Sequence, residues 1–599
     1  MVSVHGEQEA VDSVPATGPR PGARVLVASN RGPVAYALTP PPTRSPSRTP
    51  TPGEAAAAGA TAAPEPPAER PTEPPATPEP PTTRATPTTA PTAPAAPATA
   101  AAAAGLTAKR GGGGLVSGLS AIGADADSVW VCAALGDGDR EAVRRAAVGD
   151  PAAGGRRGAP LDPAATGGPR VRLLDIEPAV FAAAYNGVAN SVLWFVHHLL
   201  YQTPLEPVFD EEFRRQWEAY EAYNAAFADA LAREAGPGAA VLVQDYHLAL
   251  VPALLRQRRP DLRIGHFSHT PWAPPDYYRL LPDDVAAAVL HGILGGDRAA
   301  FLTTRWAEAC ADCGARVLGA RVGRDAETGE LTVESAGRTT RLGVHGLGAD
   351  AEFLRSRSHA ADVTERLAAL RAQIEGPGGT DGPAGAAGPA GSDGSDHRAP
   401  ARKVIVRVDR TELSKNIVRG LHAYRLLLTD HPEWRERVVH VAFAYPSRQD
   451  LAVYRAYTAE VQRVADAINE EFGTATWQPV ALHVKDDFAR SLAAYRIADV
   501  ALVNPIRDGM NLVAKEVPVV SDAGCVLVLS REAGAHAELS DDALSVNPYD
   551  VQETARALHE ALRMDPAERA ERTKRLAAAA TALPPQAWFL AQLRALGAA

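Results

Sequence analysis

Short aliphatic runs that end in polar turns set the pattern of this chain. RVLVASNRG (24–32) closes on Ser29, Asn30 and Arg31 and reads as a buried strand followed by a loop. SVWVCAAL (128–135) reads as another strand. The stretch AAVLVQDYHLALVPALLRQRRPDLRIGHFSHTPW (239–272) runs strand, turn, amphipathic helix, strand, turn. That is a βαβ unit, which calls for a parallel sheet covered by helices. After residue 401 the pattern restarts. KVIVRVDR, VVHVAFAYP, VALHV, ADVALVNP and CVLVLS read as strands, with helices through RGLHAYRLLL, around residues 461–472 and from Asn511 onward. Two successive α/β domains with parallel sheets follow. In such sheets ligands gather beyond the carboxyl ends of strands, and paired domains put the site in the cleft between them.

Composition moves the boundaries of that picture. Of 599 residues, 50 are Pro and 50 Gly, and they are unevenly spread. Residues 39–108 hold almost only Pro, Ala, Thr and Glu, too little aliphatic bulk to offset chain entropy, so a disordered insert is expected there. GPGGTDGPAGAAGPAGSDGSD (376–396) reads as a flexible linker. A net charge of −10 argues against nucleic acid as an electrostatic partner. No long unbroken apolar run and no basic-then-apolar leader is seen, so neither a membrane span nor secretion is expected, and the chain is placed in the cytoplasm. The four cysteines, Cys132, Cys310, Cys313 and Cys525, read as reduced thiols.

Five strand-end turns are unusually polar: SNRG (29–32), QDYH (244–247), SHTPW (268–272), DRTELSKN (409–416) and NPIRDGMNLVAKE (504–516). One alone would be read as a helix cap; five together point to a shared cleft. Arg410 and Lys415 bracket a helix start, and two cations beside free N–H groups suit a diphosphate. NLVAKE supplies a second helix start, with Glu516 one turn in, where a carboxylate can accept from ribose hydroxyls. The glycines of GGGGLVSGL (111–119) allow close approach to phosphate but lack the GK[ST] ending of a nucleotide-hydrolase loop. No His/Cys set or carboxylate cluster has metal-ligand spacing, so a reaction without metal or other cofactor is expected.

Taken together, SNRGPV, GGLVSGL, YNGVANSVLW, QDYHLALVPALLR, HFSHTPW, SKN, PSRQD, NPIRDGMNLVAKE, LVLSREAGAHAEL and VNPYD resemble the trehalose-6-phosphate synthases, retaining glycosyltransferases of family 20. The resemblance covers residues 24–38 and 110–595 and implies a GT-B fold, two Rossmann-like parallel-sheet domains facing a deep interdomain cleft. The implied layout is a disordered N-terminus (1–23), an acceptor domain (24–350, with the insert 39–108) and a linker (351–400). A nucleotide-sugar domain (401–580) and a C-terminal helix (581–599) crossing back complete it. It implies transfer of glucose from a nucleotide-glucose to glucose 6-phosphate, giving α,α-trehalose 6-phosphate. On the acceptor side the matching residues are Arg31, Tyr185, Trp194 and Arg448 for the phosphate and Asp245 near the sugar. On the donor side they are Arg410 and Lys415 for the diphosphate, the amides of Asn511, Leu512 and Val513 beside it, and Glu516 for ribose. His269 and Asp508 match the donor-sugar positions, and Gly114 the glycine loop.

The string departs from the family's in places. The family's LDYSKG is TELSKN here, with Glu412-Leu413 for Asp-Tyr and Asn416 for Gly; HDYH begins with Gln244; Leu302 stands where a polar residue is usual. Relatives using glycerol 3-phosphate, or coupling a cyclitol to an amine, remain as alternatives. The donor base, self-association and a role for Arg507 stay open, and a DxDGT-type phosphatase string is absent.

Overall fold

Residues 23–39, 105–110, 127–148, 158–161, 163–166, 168–375 and 402–597 are described by the structure, a computed structural model. The insert and the glycine-rich stretches, including the loop with Gly114, lie outside them. Residues Ala37–Thr107 form a unit of their own. The strands Val34–Thr39 (β2) and Gly105–Arg110 (β3) pair with each other and reach into both ends of the interval expected to be disordered.

The aliphatic runs form two sheets. The first contains Ala23–Ser29 (β1), Ser128–Ala133 (β4), Arg170–Leu174 (β5), Ala235–Gln244 (β6), Arg263–Ser268 (β7) and Arg298–Phe301 (β8). Arg321–Arg324 (β9), Leu331–Ser335 (β10) and Arg338–Val344 (β11) extend it, in the order β5-β4-β1-β6-β7-β8-β11-β10-β9. Only β9 and β10 introduce antiparallel pairing. The second contains Lys403–Thr411 (β12), Val438–Pro446 (β13), Val480–His483 (β14), Val500–Val503 (β15), Val526–Ser530 (β16) and Leu544–Val546 (β17). Its order is β14-β13-β12-β15-β16-β17, parallel throughout. Strands β4, β15 and β16 are buried at every position, as strands covered on both faces must be. In both sheets the first strand lies between the second and the fourth, so the crossovers reverse direction beside it, and there ligands bind. In the first sheet that point lies between β1 and β6, in the second between β12 and β15.

One expectation needs correction. The interval 351–400 begins with two helices, Ala351–Ser358 and Ala361–Glu375, rather than linker. Val363, Leu367, Leu370 and Ile374 repeat at helical spacing and are buried. Arg366 bonds Asp487 (2.9 Å) and Phe353 stacks on Phe488, so these helices pack on the second domain. Pro178–His198 is, among the described residues, a helix long and apolar enough to cross a bilayer by length and composition alone. Its Asn190, His197 and His198 are buried in protein, which marks a core helix. The chain passes between the domains twice, side by side: Gly348 N donates to Leu583 O (2.7 Å) and Ala349 N to Ala580 O (2.8 Å). The last helix, Pro585–Ala595, lies on the first domain, with Trp588 edge-on to Phe267 at 4.9 Å.

Candidate active site

The turns after β1, β6, β7, β12, β13 and β15 face two adjoining cavities. One, about 420 Å³, is lined by Arg410, Lys415, Asp508, Asn511, Leu512, Val513 and Glu516. The other, about 620 Å³, is lined by Arg31, Tyr185, Trp194, Asp245 and Arg448. His269 and Arg410 line both. Every candidate residue except Gly114, which is not among the described residues, thus meets at one cleft.

Beneath the first cavity's lining residues Asp409 and Lys415, Arg407 is buried inside β12 and donates to Asp409 (2.9 Å) and to the carbonyl of Lys415 (2.9 Å), pinning the turn that carries Lys415. Asn416 adopts φ 60°, the left-handed conformation for which the family's glycine suits, and its amide ties to Asn504 O and Pro548 O. Lys415 Nζ lies 2.5 Å from Asp508 Oδ2, and Asn511 Nδ2 donates to the same oxygen at 3.1 Å. Burial would favour neutral groups, but the pair prevails: Asp508 is held below the usual carboxylate range and Lys415 above its own.

The helix start beside Lys415 is not open to a diphosphate, contrary to expectation. The N–H groups of Ile417 and Val418 point at the Tyr457 hydroxyl (2.8 and 3.4 Å). Asn511, Leu512 and Val513, at the start of the helix Leu512–Val520, line the cavity, and Asn511 caps that helix through Ala514 N (3.2 Å). Burial pushes Glu516, hydrogen-bonded to Tyr495, up to about 7.

Around the second cavity, residues 183–193 wind as a π-helix, a form concentrated at functional sites. It carries Tyr185 and buried Asn190, and Trp194 follows it. The Arg448 guanidinium lies 4.0 Å over the Trp194 ring and donates to Asn190 (3.1 Å), Tyr246 (3.3 Å) and Tyr454 (3.2 Å). Arg31 is exposed on a turn fixed by Tyr223, whose hydroxyl donates to Asn30 (2.6 Å), and by Trp130, whose indole donates to Ser29 (2.7 Å). Asp245 has φ 72°, strained for a residue with a Cβ, and accepts from His269 N at 3.2 Å. Burial raises its carboxyl to about 6 and lowers the His269 imidazole to about 4, so that ring is neutral. Gln244 Oε1 lies 2.9 Å from His269 Nε2; with the amide oxygen facing the ring, Nε2 carries the hydrogen and Nδ1 keeps its lone pair. Asn190, Tyr246 and Tyr495 join the site without having been singled out, YNGVANSVLW and QDYH holding the first two only as strings; Gln244 was noted only as a departure from the family string.

The RDGM turn joins the domains. Arg507 is buried, donates to Trp272 O (2.9 Å) and lies 4.6 Å over the Trp306 ring, whose indole N–H reaches Gly509 O (3.0 Å). A Cβ on Gly509 would stand 1.9 Å from His269 O. Only glycine lets the turn come this close. Outside the lining of both cavities, His431, Glu433 and His559 converge in a way that sequence spacing did not reveal. The Trp434 indole N–H points at His559 Nδ1 (3.1 Å), occupying that nitrogen's lone pair. All four cysteines are free and buried.

The sequence profile of glycosyltransferase family 20 matches residues 97–378 and 396–597. The chain belongs to that family. A bifunctional trehalose-6-phosphate synthase/phosphatase of Thermoproteus tenax is 34% identical over 413 residues, 68% of this chain and 51% of that protein. This chain therefore spans about half of its length. An alpha,alpha-trehalose-phosphate synthase (UDP-forming) of Aspergillus niger is 34% identical over 65% of this chain and 75% of its own. The Burkholderia xenovorans alpha,alpha-trehalose-phosphate synthase (UDP-forming), solved with glucose-6-phosphate, superposes with TM-score 0.63 at 27% identity, covering 72% of this chain and 87% of its own. The E. coli protein solved with UDP-2-fluoro glucose gives 0.67 at 27%, covering 81% and 96%. The family 20 chain thus has the GT-B fold of the trehalose-6-phosphate synthases.

Proposed function

We propose that this chain transfers glucose from a nucleoside-diphosphate glucose to glucose 6-phosphate, with retention, forming α,α-trehalose 6-phosphate. The observation that carries the proposal is the joining of the two cavities at Arg410 and His269. A leaving diphosphate and an incoming sugar phosphate then meet within reach of one guanidinium. The donor diphosphate lies against Arg410, Lys415 and the amides that open the helix Leu512–Val520, with ribose at Glu516. Asp508 and neutral His269 hold the donor sugar. Arg31, Tyr185 and Arg448, the last stacked on Trp194, hold the acceptor phosphate, and Asp245 holds the acceptor sugar.

As the bond from the anomeric carbon to the diphosphate oxygen breaks, negative charge grows on that oxygen, and the cations and helix amides stabilise it in a confined cleft. The acceptor hydroxyl oxygen bonds the anomeric carbon from the same face, and its proton passes to the leaving phosphate oxygen. Removing Arg410 should cost about 10²- to 10³-fold in rate. The test is a coupled nucleotide-release assay with UDP-, GDP- and ADP-glucose against glucose 6-phosphate and glycerol 3-phosphate. Release that depends on glucose 6-phosphate supports the proposal. Release with no pair, or only with glycerol 3-phosphate, rejects it.

A further inference from the structure

Glu412 follows β12 directly and is wholly buried between the arginines of the two cavities. Its Oε1 faces Arg410 Nη1 at 3.1 Å, Arg448 Nη1 at 3.1 Å and the Ser447 hydroxyl at 3.0 Å. Its Oε2 is buried without a hydrogen-bond partner. One hydroxyl donor and two guanidiniums in ion-pair contact crowd one oxygen while the other stays bare, a poor way to satisfy a carboxylate but a direct way to fix two guanidiniums relative to each other. Arg448 has other anchors in Asn190, Tyr246, Tyr454 and the face of Trp194. Arg410 differs: its side chain is 56% exposed, and Glu412 is its only ion-pair partner among the described residues.

We infer that Glu412 is a positioning residue that holds Arg410, on the donor side, and Arg448, on the acceptor side, in one fixed relation. The two phosphate-bearing substrates are thereby presented to each other in register. The inference rests on the proposed function. It has a cost that can be measured, because the carboxylate competes with both substrate anions for the same guanidinium charges. Positioning gained for the transition state is lost as ground-state affinity.

Glu412→Gln keeps the shape and removes the charge. KM should fall several-fold for both substrates as the guanidiniums are released to them. The turnover number should fall by about 10- to 100-fold, because Arg410 loses its tether. Glu412→Asp keeps the charge one methylene short; its turnover should lie between the two, without tighter binding. Calorimetric titration with uridine or guanosine diphosphate, and separately with glucose 6-phosphate, reads the same competition without chemistry and should show tighter binding to Glu412→Gln. A damaged fold lowers turnover without lowering KM. Unchanged turnover in Glu412→Gln, or lowered turnover with KM unchanged or raised, overturns the inference while leaving the proposed function standing. A wild-type chain that binds neither ligand and turns nothing over overturns the proposed function, and this inference with it.

Discussion

Replacing Lys415 by Met strands a carboxylate in the cleft. Asp508 is 15% exposed and 2.5 Å from Lys415 Nζ; its other side-chain partner is the Asn511 amide. At an effective dielectric of about 20, two unit charges at that separation attract by about 7 kcal/mol. Desolvation returns most of this, but the uncompensated carboxylate left behind should cost about 3–5 kcal/mol. The pH dependence separates this loss from a packing loss. In the wild type, Asp508 titrates below its ordinary range, so its contribution is present above about pH 4 and is lost as pH falls through the lowered value. Without Lys415, only the Asn511 amide and His198 still oppose burial, the largest influence, so that carboxyl rises and the variant loses stability as pH rises instead. The deficit of Lys415→Met should therefore be large at pH 8 and small near pH 4. Lys415→Met/Asp508→Asn, which removes both charges, should return to within about 1–2 kcal/mol of wild type at pH 8. Turnover should stay down by about 10²-fold or more in both variants, because the diphosphate has lost its ammonium. Urea unfolding at the two pH values, run beside the nucleotide-release assay, measures both quantities. A single variant as stable as wild type at pH 8, or a double variant with restored turnover, would refute this reasoning.

The close approach at Gly509 gives another test. In Gly509→Ala the new methyl meets the backbone of His269, which no rotamer change relieves, so the domains must part. Turnover should drop by about 10²-fold or more and the radius of gyration from solution scattering should rise; normal turnover would contradict the closed contact. At Glu516, burial raises the carboxyl to about 7 from 4.5, so its contribution is fully present below pH 4.5 and is lost as pH rises through 7. Glu516→Gln should therefore gain about 2–3 kcal/mol over wild type at pH 8 and nothing at pH 4.5, while binding nucleoside diphosphate less well. Equal melting shifts at both pH values would reject that assignment.

Much of the fold was legible because its signals are local. Strands buried on both faces, such as β4 and β15, show as unbroken aliphatic runs, and the polar turns behind them mark the ends where ligands gather. The helix Ala361–Glu375 was equally legible in its spacing, yet the glycine-rich stretch beside it drew the whole interval into a linker. Residue types likewise named the cations and carboxylates of the cleft, and family strings named their places.

Contacts across the chain were not legible, since no spacing records them. Arg507 is a lone charge in the sequence; only the folded chain puts it on Trp272 O, more than two hundred residues away. Ile417 begins a helix in any reading, but whether its N–H is free for phosphate depends on Tyr457, forty positions on. Glu412 looks like a conservative change from the family's aspartate; burial beside Arg410 and Arg448 gives it a part in both cavities. The sequence by itself determined which chemical groups exist and which strand ends carry them, because periodicity and turn chemistry act over a few residues. Tertiary structure decided which groups share a proton, a partner or a cavity, because electrostatics and packing depend on distance in space.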